Sequence, residues 1–120
     1  MSGQKQVYNG KAHEDIPALI KYRGNGLSFV ELLQYLPYLK WDCTYGNDEW
    51  NFVFWHGLSQ ECIDTLRDLI NSDAIKPTST HPFTYYVDGQ VPKLPVAKSS
   101  RKYKKPHWAP ITFSRGLKAA

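Results

Sequence analysis

Apolar residues recur at helical spacing in the stretch Gly57–Pro77, GLSQECIDTLRDLINSDAIKP. Ile63, Leu66, Leu69 and Ile70 fall on one side of a helix, and Gln60, Asp64, Arg67, Asp68 and Asn71 on the other. Ser59 is placed to cap its first turn. Leu58 and Ile63 form a hydrophobic staple across that cap, and Pro77 bars the helix from running on. Two shorter helices are expected upstream. One spans about 16–23, capped by Asp15, with Pro17 in its first turn and Ile16, Leu19 and Ile20 as its apolar face; Gly24-Asn25-Gly26 stops it. The other opens at Ser28-Phe29-Val30-Glu31, a capping-box pattern, and ends near Leu36 because Pro37 disfavours helical geometry in the residue before it.

Between the second and third helices the period changes. Residues 38–45 are aromatic and apolar, Gly46-Asn47-Asp48-Glu49 is a turn cluster, and Trp50–Trp55, WNFVFW, reads as a strand buried on both faces or central in a sheet. The two runs form a hairpin. Phe52 and Phe54 are expected in the core, and Trp50 and Trp55 on a surface offered to a partner. After Pro77, Phe83-Thr84-Tyr85-Tyr86-Val87 reads as a strand, Asp88-Gly89 as a two-residue turn, and residues 90–98 as the returning strand, confined to an edge by Pro92 and Pro95. Ile111-Thr112-Phe113 adds a short strand. The expected plan is α+β: three helices and two β-hairpins in the order α-α-ββ-α-ββ, then a basic tail. One domain spans 15–113, with flexible termini at 1–14 and 114–120.

That order is loosely similar to the winged-helix plan over about residues 15–97. The resemblance implies that the third helix enters a DNA major groove, presenting Gln60, Asp64, Arg67, Asp68 and Asn71, with the second hairpin as the wing. The chain departs from the pattern in two ways: a long aromatic hairpin separates helices two and three, and the presented face is acidic. Acidic residues on phosphates oppose the electrostatic attraction that dominates DNA affinity.

Charge moves attention to the C-terminal segment. Residues 1–88 carry 7 Lys/Arg against 11 Asp/Glu, whereas residues 89–120 carry 8 Lys/Arg and no acid. Within the second part, Lys98, Arg101, Lys102, Lys104 and Lys105 are interleaved with Tyr103 and Trp108. Cations neutralise phosphates and flat rings stack on exposed bases, so the mixture suits single-stranded or irregular nucleic acid. The alternative is a protein-interaction or assembly module that uses the aromatic hairpin and the basic tail. Its targets are an acidic partner protein, a twin copy in a homo-oligomer, or Asp42, Asp48 and Glu49 of the chain's own body. A non-catalytic nucleic-acid-binding or regulatory role through the basic, aromatic segment is the leading expectation.

The remaining chemistry is sparse. His13, His56, His81 and His107 lie in four separate segments, and neither Cys43 nor Cys62 belongs to a CxxC pair, so no metal or other cofactor is expected. The chain has no GxSxG, phosphate-loop or dinucleotide fingerprint. Cys62, on the flank of the third helix, reads as a small core residue. With no run of 18 apolar residues and no apolar signal-peptide centre at the N-terminus, a cytoplasmic protein without membrane contact is expected.

Overall fold

The computed structural model describes residues 8–89, 91–99 and 101–119. It is a mixed α+β structure. Helices α1 (Ala12–Arg23) and α2 (Phe29–Tyr35) lead through a 3-10 turn at Pro37–Leu39 into strands β1 (Lys40–Asn47) and β2 (Phe52–Leu58). Helix α3 (Gln60–Asn71), strand β3 (Ile75–Ser79), helix α4 (Phe83–Asp88) and strands β4 (His107–Trp108) and β5 (Ile111–Arg115) complete it. One sheet has the order β1-β2-β4, with β1 and β2 antiparallel and β4 parallel to β2. The other pairs β3 and β5 antiparallel, from Ile75 opposite Arg115 to Ser79 opposite Ile111.

The helices that periodicity predicts form for the predicted reasons. In α2, the Ser28 hydroxyl accepts the Glu31 N–H at 3.1 Å, while the Glu31 carboxylate accepts the Ser28 N–H at 3.2 Å. In α3, the Ser59 hydroxyl accepts the Cys62 N–H at 3.0 Å. Cys62, Ile63, Leu66 and Leu69 bury one side of α3 in a core shared with Ile16, Leu19 and Ile20 of α1, Phe29 and Leu32 of α2, and Phe113 of β5. Burial pushes the Cys62 thiol up to about 12, so it is a core side chain and not a nucleophile.

The aromatic hairpin is β1–β2, and its central strand is β2, as its composition suggests. A Cβ at Gly46 would overlap the Phe52 carbonyl oxygen, so only glycine fits where β1 shifts register against β2.

Four expectations change. First, α1 starts at Ala12, and Asp15 is not its cap. The Asp15 carboxylate, only 2% exposed, accepts the N–H groups of Asn9 and Gly10 at 2.8 and 2.9 Å and the Tyr38 hydroxyl at 2.6 Å. Burial opposes its charge, but these donors outweigh it and hold the carboxyl below the usual range. Pro17 thus lies in the second turn, where it cannot donate to the His13 carbonyl. Residues 1–7 of the expected lead-in lie outside the described residues.

Second, Phe83–Val87 is helical. Pro82 and Gly89 flank α4 in the usual Pro-before, Gly-after order, and Gly89 is left-handed at φ 83°, ending the helix where a hairpin turn was expected. Tyr85 settles the conformation. Its hydroxyl accepts the Phe29 N–H at 3.0 Å and donates to the Ile111 carbonyl at 2.7 Å, crossing the core. Third, the returning strand does not form; residues 91–98 are irregular and touch the sheet through a bridge from Val96 to Trp108. The position that the winged-helix resemblance gives to a wing is therefore taken by α4.

Fourth, the last strand extends beyond the expected Ile111–Phe113. β5 runs through Arg115, and the N–H groups of Gly116 and Lys118 donate to the Ala74 and Asp73 carbonyls at 3.0 and 2.9 Å.

Candidate nucleic-acid interface

The basic segment leaves the bridge at Val96 and returns at β4, and its backbone is fastened to the turn between β1 and β2. The Tyr103 N–H donates to the Trp50 carbonyl at 3.2 Å, and the His107 N–H to the Asn51 carbonyl at 2.8 Å. The Asn51 side-chain amide donates to the Tyr103 carbonyl at 2.6 Å. Asn51 itself is left-handed at φ 55°, a conformation that Asn tolerates better than most residues.

Tyr103 organises the loop. Its hydroxyl accepts the backbone N–H groups of Lys98 and Ser99 at 3.0 and 3.3 Å. Its ring stacks on His107 at 3.7 Å and 18°, and the Arg101 guanidinium lies over it at 4.8 Å. The hydrogen bond to the Ser99 side chain, aided by those two N–H groups and opposed by a smaller effect of burial, lowers the phenol to about 8. His107 Nδ1 donates to the Lys105 carbonyl at 2.8 Å, which makes Nε2 the acceptor of the neutral ring.

Around this anchor, Arg101, Lys102, Lys104 and Lys105 line a concavity of about 390 Å³ together with Tyr103 and His107. Lys102 reaches Glu49 at 2.8 Å and lies 5.7 Å from the centre of the Trp50 ring. This contact is the fold-back onto the acidic body, made at Glu49. Both groups are well exposed, so the pair contributes ~0–1 kcal/mol and opens readily. Lys98, Lys104 and Lys105 are exposed and have no ion-pair partner among the described residues.

The aromatic candidates separate by depth. Trp108 is 1% exposed and meets Tyr85 edge-on in the core at 5.3 Å, so it is not a stacking surface. Its pairing in β4 draws it inward despite the basic residues before it. Trp55 is 6% exposed and lies parallel to Phe29 at 5.7 Å, so it is not a partner surface either. Phe52 and Phe54, expected in the core, are only half-buried, as is Trp50. Phe54 nonetheless packs against the core, beside Tyr45 at 5.1 Å, so on β2 it is Trp55 that departs from the expected direction. Phe52 lies between Trp50 and Tyr103, with ring centres 6.0 and 6.1 Å away.

The face of α3 that the winged-helix resemblance would present stays acidic. Gln60 bonds Asp64 at 2.9 Å, and His13 bonds Asp68 at 3.1 Å. Among the described residues no group of three His, Cys, Asp or Glu converges as a metal site requires, and no helix is long and apolar enough to cross a membrane.

Sequence reasoning missed one feature. Phe83, Tyr86 and Val87 of α4 are 66%, 52% and 85% exposed. The Pro82…Gly89 bracket was the signal that could have revealed a helix there.

Comparison with known protein families, curated proteins and solved structures finds no match.

Proposed function

We propose that the chain binds nucleic acid, without catalysis, through the loop 98–107. The observation that carries this reading is the concavity in which four Lys/Arg side chains surround the Tyr103–His107 stack, with no carboxylate among the described residues that line it. Lys98, Arg101, Lys104 and Lys105 contact phosphates, and Lys102 joins them by leaving Glu49. Tyr103 acts as the anchor that shapes the loop.

About five phosphate contacts give a log–log salt slope near ~−3.5 on a single strand, and replacing Lys104 and Lys105 together by Ala flattens it by ~1.4. Titration of labelled oligonucleotides between about 50 and about 200 mM salt measures this. Absence of binding at the low-salt end would sink the reading. Tyr103 adds a pH signature. Its neutral phenol becomes a phenolate among cations as the pH rises through about 8, so affinity falls across that range. Tyr103→Phe removes that component of the pH profile.

A second reading, docking to an acidic protein surface, is favoured by the exposed acidic face of α3, which a second copy would offer to the loop. It is distinguished by salt-sensitive self-association in the absence of nucleic acid.

A further inference from the structure

The basic loop accounts for phosphates but not for bases. Its own ring is already engaged, by His107 at 3.7 Å and by the Arg101 guanidinium at 4.8 Å. Of the exposed rings among the described residues, those of α4 follow directly on Thr80 and Pro82, which border the basic loop across a cleft. Phe83 and Tyr86 are mostly exposed and meet edge-on at 5.9 Å and 79°, and His81 stacks on Phe83 at 5.0 Å and 16°. This group is firmly mounted. Tyr85, on the same helix, is fully buried and tied by its hydroxyl to Phe29 and Ile111, while the Thr80 and Thr84 hydroxyls bond at 2.9 Å across the helix start.

A cleft of about 270 Å³ lies between the segment that leads into α4 and the basic loop. Thr80 and Pro82, at the start of α4, line it together with Lys98 and Ser99 of the basic loop. Phe52 also lines it and contacts the Tyr103 ring, so the surface continues into the basic concavity. Among the described residues, neither concavity is lined by Asp or Glu.

We infer that α4 is the base-stacking half of a single-strand site, in which a nucleic-acid strand runs from Phe83 and Tyr86 across the cleft at Thr80 and Lys98 to the groove of Lys104 and Lys105. The inference rests on the nucleic-acid reading above and specifies its substrate. Exposed rings beside a cationic track accept unstacked bases of any sequence; a duplex offers no free base faces. The cationic side chains around the concavity, with Glu49 on Lys102 the one carboxylate paired to them among the described residues, favour a polyanion over an apolar protein surface as the occupant.

The test compares the wild type, Phe83→Ala/Tyr86→Ala and Lys104→Ala/Lys105→Ala on labelled oligo(dT) of about 15 nucleotides, near the upper site size of single-strand modules. A duplex of the same length serves as control. The α4 variant is expected to bind oligo(dT) about tenfold to hundredfold more weakly, with the salt slope retained and duplex affinity unchanged. The lysine variant flattens the salt slope on both. Ultraviolet crosslinking of oligo(dT) to the wild type, mapped to peptides, should mark residues 81–87 and tests the site without any substitution.

Equal oligo(dT) affinity for the wild type and the α4 variant would overturn the inference while leaving the basic loop as a phosphate site. So would a wild-type dimer that the α4 variant dissociates with its oligo(dT) affinity intact. A wild type that binds neither oligonucleotide at low salt overturns both readings together.

Discussion

Helices α3 and α4 use apolar residues at the same spacing for opposite ends. In α3, positions 62, 63, 65, 66 and 69 face the core, and Asp64, Arg67 and Asp68 between them face solvent. In α4, Tyr85 faces the core, while Phe83, Tyr86 and Val87, which share a side by their three- and four-residue spacing, face out. An apolar stripe that the core absorbs explains itself by stability. One that the core leaves exposed, on a helix fastened by a buried tyrosine, adds little to stability and calls for a ligand. The contrast therefore predicts a graded series of substitution costs along the two helices.

The largest effect belongs to Leu66, fully buried at the centre of α3. Leu66→Ala should destabilise by ~2–5 kcal/mol, seen as a lower denaturant midpoint at similar slope. A wild-type midpoint would mean that α3 does not anchor the core. Tyr85→Phe comes next. It leaves the Phe29 N–H and the Ile111 carbonyl without the hydroxyl that joins them, at a cost of ~1–3 kcal/mol. A negligible cost there would remove the claim that α4 is rigidly mounted, and the contrast with α3 would then be one of order as well as direction.

The same pair of helices shows what was readable in the chain. Ser59 and the Ser28–Glu31 box are local devices, satisfied within one turn, and both formed as written. The hairpin around Gly46–Glu49 was also local. The segment from 83 onward was not. Aromatic residues favour strands in general, but the hydroxyl of Tyr85 finds partners that lie 56 and 26 residues away in the chain, and no local pattern reports them. Asp88-Gly89 misleads because a glycine with positive φ serves a helix end as well as a hairpin turn. The site was legible in part. Composition located the cations, but depth is decided by tertiary pairing: β4 draws Trp108 inward and β2 buries Trp55, whereas Tyr103 becomes the anchor of its loop. Ser59→Ala measures how much of α3 rests on its local device, with an expected loss of ~0.5–2 kcal/mol. If its cost exceeded that of Leu66→Ala, capping and not burial would dominate the helix.

The smallest effect is the most informative. Phe83→Ala and Tyr86→Ala remove large rings from solvent-facing positions, where little apolar area is withdrawn from water and no cavity is left. Tyr86→Ala removes one ring contact, with Phe83 at 5.9 Å, and Phe83→Ala removes that contact and the His81 stack at 5.0 Å; each gains the higher helix propensity of Ala, ~0.5 kcal/mol in the opposite direction. The two contributions nearly cancel, so each variant should unfold within ~0.5 kcal/mol of the wild type, the usual range for surface substitutions. Thermal or denaturant unfolding of the two variants beside Leu66→Ala checks this directly. A loss comparable to that of Leu66→Ala would show that the rings of α4 belong to the core after all. A near-zero loss combined with weakened oligo(dT) binding would separate stability from recognition within one six-residue helix.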